Sequence, residues 1–238
     1  MNISVVIPAF NEEKYIGNCL HIILRYAPDN LKEILVVNNA STDKTAEVAA
    51  SFPRVRVVNE PNKGLTKARQ RGLTEAAGDL LAFVDADSLV QKNWFNIMNR
   101  EFTADNKLVC LSGPYIYYDT PAWQQWMVKN LYYGLLARFI YFFTKYMASG
   151  GNFVARKDAL LKIGGFDTSI EFYGEDTDIA RRLHEVGKVK FSNSFFMPTS
   201  GRRFAGEGTV ATGTKYVANY TSIMLTKKPA LKKYKDIR

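Results

Sequence analysis

Short apolar runs alternate with amphipathic stretches through residues 1–110. The runs "ISVVIP" at 3–8, "EILVVN" at 33–38, "VRVVNE" at 55–60 and "LLAFVD" at 80–85 read as four strands, the first and the last as fully buried ones. Helical patterns separate them. Asn11 is placed to cap a helix whose apolar face is Ile16, Leu20, Ile23 and Leu24. "NASTDKTAEVAASF" predicts a helix starting at Ser41 or Thr42, and "GLTKARQRGLTEAAG" one closed by Gly78. Strands alternating with helices imply a mostly parallel, Rossmann-like sheet flanked by helices, an α/β fold.

The second half is less regular and predicts a smaller region beside that sheet. "LVCLSGPYIYY" reads as a strand pair, and residues 121–147 as a long aromatic helix. "SGGNFVARKDALLKIGGFD" combines a strand, a short helix and a glycine turn. "EDTDIARRLHEVG" opens with acids, which favour a helix N-terminus, and ends at Gly187. There are no repeats and no low-complexity linker, so residues 1–238 are expected to form one domain: a ligand-binding half at 1–110, and a second half with a basic tail at 111–238.

In a parallel α/β sheet, ligands bind beyond the carboxyl ends of the strands. Polar clusters follow each run: Pro8 to Glu12, Asn38-Asn39, Asn59-Glu60, and Asp85-Ala86-Asp87. Alternate residues of an extended segment share a face, so Asp85 and Asp87 can address one ligand. Burying unpaired carboxylates is costly, and a cation or a wet crevice removes that cost. Carboxylates suit Mg²⁺ or Mn²⁺, ions that usually also bind substrate phosphates. The net charge of +9 favours an anionic partner.

Charge and cysteine usage exclude some classes. Cys19 and Cys110 form neither a disulfide framework nor a zinc site, and His21 and His184 have no metal-ligand spacing. "MNISVVIPAF" lacks the charged start of a signal peptide, so the expected location is the cytoplasm. No G-x-G-x-x-G follows the first strand, which disfavours a dehydrogenase. A nucleotidyltransferase would carry a glycine-rich phosphate loop where this chain has "PAFNEEKYIG". A nucleic-acid-binding domain would gather its basic residues on one element, whereas here they are spread except at the C-terminus. No nucleic-acid partner is expected.

The blocks "VVIPAFNEEKYI", "EILVVNNASTDKT", "NKGLTKARQRGL", "GDLLAFVDADS" and "GGFDTSIEFYGEDTDIARRL", in this order, resemble the successive signatures of family 2 glycosyltransferases. The resemblance implies a GT-A fold and inverting, metal-dependent transfer from a nucleotide-sugar. It places Pro8, Ala9 and Glu12 at the nucleoside, with Asn38 where an Asp usually accepts from the base. Lys67 and Arg69 match the basic helix start beside the nucleotide. Asp85 matches the ribose- and metal-side acid and Asp87 the metal ligand, while Ser88 replaces a frequent third acid. Glu175-Asp176 matches the acidic pair supplying the base, with Asp176 as base and Glu175 shaping the acceptor pocket. Arg202 and Arg203 are read as a flexible loop closing over the diphosphate. The acceptor would be a sugar or a lipid-linked hydroxyl.

The aromatic stretch "WQQWMVKNLYYGLLARFIYFFTKYM" is interrupted by Lys129, Arg138 and Lys145. Its charge-free run at 130–137 is far too short to span a bilayer. Two readings stay open: a core or oligomer-contact helix, or an interfacial helix at an anionic membrane surface, helped by the basic residues of 227–238.

Overall fold

The structure, a computed structural model, describes residues 1–231. Lys232, Lys233, Lys235 and Arg238 of the expected basic tail lie outside the described residues.

The elements are, in order, β1 (Ile3–Ala9), α1 (Ile16–Arg25), β2 (Leu31–Asn38), α2 (Thr45–Ala50), β3 (Val55–Asn59), α3 (Leu65–Glu75), β4 (Leu80–Val84) and α4 (Trp94–Ala104). Then come β5 (Leu108–Ser112), β6 (Tyr115–Tyr117), α5 (Ala122–Met127), a π-helix (Val128–Leu136), α6 (Ala137–Thr144), β7 (Asn152–Arg156) and α7 (Lys157–Lys162). The chain continues through α8 (Glu175–His184), β8 (Lys188–Phe191), β9 (Met197–Thr199), α9 (Arg202–Glu207) and α10 (Thr209–Thr226).

The main sheet is seven-stranded, in the order β3-β2-β1-β4-β7-β5-β8. Strands β1 to β4 are parallel, as the apolar runs predict. Both faces are covered. Val5 and Ile7 join one buried cluster with α1 and α4, while the alternate residue Val6 joins another with Leu73 of α3 and Ile179 of α8. Phe83 stacks on Phe153 of β7 at 4.7 Å and meets the edge of Phe166 at 5.1 Å. Each such buried aromatic contributes about 1.5–3 kcal/mol.

Register decides where the strands stop. Ala9 pairs with Asn38, and Asn38 with Asn59, so β1, β2 and β3 end level at one edge. β7 runs antiparallel between β4 and β5, with Asn152 beside Val84. Its entry turn, Gly150-Gly151, therefore arrives at the same edge.

Several local expectations are corrected. "LVCLSGPYIYY" is not a strand pair: β5 joins the main sheet, and β6 pairs with the distant β9. Asn11 is not a helix cap. It sits at φ 53°, and its side-chain oxygen accepts from the Thr42 amide at 2.8 Å, locking the β1 loop to the β2 loop. Helix α2 starts at Thr45 rather than Ser41 or Thr42, because Asp43 accepts from the Thr45 amide at 2.9 Å and so takes over the helix start. Helix α3 ends at Glu75, and Gly78 is not a left-handed cap. Gly78 is instead a close-approach residue, whose added Cβ would lie 2.6 Å from the Ser4 amide nitrogen.

The aromatic segment is helical over most of the predicted span, with a π-helical middle. Tyr133 and Ala137 are buried with Met147 against Phe191 and Tyr220, so one face is core.

Candidate active site

The level ends of the parallel strands border a cavity of about 610 Å³, a size that suits a small-molecule ligand. Pro8, Ala9 and Glu12 from the end of β1 line it, with Asp85 and Asp87 from the end of β4. Glu175 and Asp176 at the start of α8 and Arg202 and Arg203 of α9 line it as well.

Arg69 organises one half. It lies in α3, is buried, and places Nη1 3.1 Å from Glu175 Oε1 and Nη2 3.5 Å from Asp85 Oδ1. It therefore ties the strand-end acid to the helix-start acid. The other oxygen of Asp85 accepts from the Tyr115 hydroxyl at 3.1 Å. That hydroxyl in turn accepts from the Gly151 amide. An added Cβ on Gly151 would lie 2.1 Å from the Asp85 carboxyl carbon, so only glycine lets β7 enter this close. Gly174, at φ 90°, makes the left-handed turn that starts α8.

Arg202 organises the other half. Its guanidinium pairs with both Glu12 oxygens, stands 3.1 Å from Asp87 Oδ2 and lies 4.8 Å above the Tyr15 ring. The Thr199 hydroxyl donates to Asp87 Oδ1 at 3.2 Å and accepts from Ser88 at 2.9 Å. Arg203 packs over Phe172 at 4.2 Å and pairs with Glu207. The expected flexible loop is thus corrected: both arginines lie on a helix, α9, anchored by ion pairs.

Electrostatics follow from burial. Asp87 is pushed up to about 7 by burial and by its neighbours Asp85 and Glu12, with Arg202 acting in the opposite direction. Burial also raises Glu175 and Asp176. Asp176 raises Glu175 further, while Arg69 pulls both down.

The oxygen donors at this edge fit a hard divalent cation. Glu12, Asp85 and Asp87 converge, and their mutual repulsion at Asp87 is what a cation would relieve. Among the described residues no group of three or more His, Cys, Asp and Glu can hold a metal ion alone.

Two sequence assignments fall elsewhere. Asn38 does not line the cavity, because its amide donates to Asn59 Oδ1 at 3.0 Å within the sheet edge. The neighbouring Asn39 lines it instead, held by bonds to Glu60, Asn62 and Gly64. Lys67 lines a separate shallow depression with Glu60 and Thr168. Lys63, from the same block, lines the cavity and stands 3.9 Å over the Phe10 ring. Sequence reasoning also missed Tyr115, Gly151 and the tyrosines near Asp176, Tyr132, Tyr133, Tyr216 and Tyr220. Only the "SGG" turn and the tyrosine-rich stretch hinted at them.

Known proteins share this arrangement of elements. The structure of S. aureus TarS 1–349 in complex with UDP-GlcNAc is similar at a TM-score of 0.70 and 21% identity, covering 94% of this chain and 64% of that one. The Pyrobaculum calidifontis mannosyltransferase PcManGT in complex with GDP-Man and Mn²⁺ is similar at 0.70 and 18% identity, covering 96% of this chain and 66% of that one. These likenesses establish the GT-A fold. In sequence, the chain is 34% identical over 213 residues to glycosyltransferase GlyG of Streptococcus pneumoniae serotype 4, covering 87% of this chain. It is 29% identical over 210 residues to the probable glycosyltransferase YdaM of Bacillus subtilis, covering 78% of this chain. The chain spans 63% of GlyG and 47% of YdaM. The profile "Glycosyl transferase family 2" matches residues 4–164, from the first strand through the Asp85–Asp87 edge to β7 and α7, and the chain belongs to that family.

Proposed function

We propose that this chain transfers a sugar from a nucleotide-sugar donor to a hydroxyl acceptor, with inversion at the anomeric carbon. UDP-sugars are the favoured donors and GDP-sugars the second choice. The observation that carries this reading is that Asp85, Asp87, Glu175 and Asp176 line one cavity, with Arg69 bridging Asp85 and Glu175. Residues 1–110 form the donor half and 111–238 the acceptor half.

The donor's nucleoside lies against Pro8, Ala9 and Asn39. Asp87, with Asp85, would hold Mg²⁺ or Mn²⁺, and the ion would supply positive charge to the leaving diphosphate. Arg202 gives up its pairing with Asp87 and adds its own charge to the diphosphate. Asp176 takes the proton of the acceptor hydroxyl. Glu175 stays paired with Arg69 and shapes the acceptor side. Attack from the face opposite the leaving group is a single displacement, which inverts the anomeric carbon.

Thermal-shift measurements against UDP, GDP and their sugars, with and without Mn²⁺, test the reading. A ligand bound only by the folded state raises Tm. Asp87→Asn should remove the Mn²⁺-dependent part of nucleotide diphosphate binding and leave the fold intact. Calorimetry in which wild type binds equally well with a chelator present would refute the metal role.

A pH profile tests the base. Asp176 works only when ionised, and burial raises it. The rate should therefore be full at high pH and fall as pH drops through a limb above the ordinary aspartate value of about 3.9. A kcat that stays flat down to about pH 4 would exclude a raised carboxylate as base.

A further inference from the structure

The helical segment 122–144 buries only one face. Trp123, Trp126, Leu135, Phe139, Phe142 and Phe143 expose 57–68% of their surface. A helix on the surface of a globular protein normally turns polar residues outward there, and a contiguous apolar face of this kind marks an interaction site.

Charge points to the partner. Between 121 and 147 there is no acidic residue, while Lys129, Arg138 and Lys145 are basic and exposed. Helix α10, which meets this segment through Tyr146 and Met224, lies in a stretch, 208–231, that also lacks acids and carries Lys227 and Lys228, while its Lys215 is paired with Glu207. Lys145 Nζ rests 4.4 Å over the Phe142 ring, so cation and aromatic stand side by side. Aromatic and basic side chains together suit the headgroup layer of an anionic bilayer. Among the described residues no helix is long and apolar enough to cross a membrane, so the fit is to a surface.

The same segment walls the cavity. Met127, Leu131, Tyr132 and Leu136 line it and are also exposed, as is Val217 of α10. Tyr132 and Tyr133 lie within electrostatic reach of Asp176. Apolar side chains of this segment therefore both line the cavity that holds Asp176 and reach the exposed face.

We propose that the helical segment 122–144 docks on an anionic lipid surface and turns the Asp176 side of the cavity toward the lipid headgroups. Resting on the transferase reading above, this makes the acceptor a hydroxyl-bearing, lipid-linked molecule. It reaches Asp176 along the wall of Met127, Leu131 and Leu136.

The test is co-sedimentation of the full chain with phosphatidylglycerol vesicles, with phosphatidylcholine vesicles as the control. The protein should pellet with the anionic vesicles, be released by salt, and shift its tryptophan emission to the blue. Trp94 is fully buried, so that shift reports Trp123 and Trp126. Phe139→Glu/Phe143→Glu should lower the vesicle-bound fraction by about tenfold or more and keep the nucleotide-induced rise in Tm. Wild type staying in the supernatant at low salt, while a nucleotide still raises Tm, would overturn the docking proposal alone. A lipid-independent dimer that covers these aromatics would overturn it too. Vesicle binding without any nucleotide effect would instead count against the transferase reading.

Discussion

Asp176→Asn should lower the transfer rate by about 100-fold or more and leave donor affinity almost unchanged. Asparagine keeps the shape of the side chain and removes the proton acceptor. Asp176 accepts from the Thr177 amide at 2.7 Å, a bond the amide oxygen of asparagine can also accept. The fold should therefore survive. Donor affinity should survive as well, because the substitution leaves untouched Asp85, Asp87 and Arg202, the groups proposed to meet the diphosphate. Steady-state kinetics with a saturating donor, together with thermal shift by the nucleotide, separate the two effects. Glu175→Gln is the control, since Glu175 is paired with Arg69 and should affect positioning more than proton transfer. Near-normal kcat in Asp176→Asn would move the base elsewhere.

The largest effect on stability is expected at Arg69. Arg69→Met should cost about 3 kcal/mol, the lower end for removing one partner of a buried ion pair. Two carboxylates lose their shared cation. Glu175 has only 10% of its side chain exposed, whereas Asp85 has 34% and is partly relieved by water. The loss should depend on pH with a definite sign. Glu175 is already raised in the folded protein, and Arg69 is a group that lowers it. Without Arg69 its folded pKa rises further above the unfolded value. Stability of the variant is then present below the unfolded pKa and declines as pH rises through the folded one. The pH-dependent part of the deficit against wild type should open as pH rises through about 8, the raised value of Glu175, and be absent below it. Urea unfolding at several pH values measures it, with Arg69→Lys as the variant that keeps charge but not the fork. Equal stability of Arg69→Met and wild type would refute the clasp.

Much of residues 1–110 was legible in the linear sequence. The apolar runs of β1, β2 and β4 are continuous because the sheet is covered on both faces, and continuous burial leaves a continuous apolar signature. The level strand ends then follow from parallel pairing, and the polar residues after each run had to meet at one edge. The helix-start acids Glu175 and Asp176 were visible for a similar local reason, since acids favour a helix N-terminus.

Single-residue choices at that edge were not legible. Asn38 and Asn39 are chemically identical, and which one faces the cavity depends on the residue at which β2 stops pairing with β3. The sequence by itself determined the elements of residues 1–110 and the edge at which their acids gather, because burial writes a local pattern. Only the tertiary structure decided the partners. β7 enters antiparallel between β4 and β5, and Arg69 bridges acids from two distant segments. Arg202 closes on Glu12 from 190 positions away. An ion pair across that distance leaves no periodicity in the chain, since each partner alone reads as an ordinary charged residue until packing removes its water.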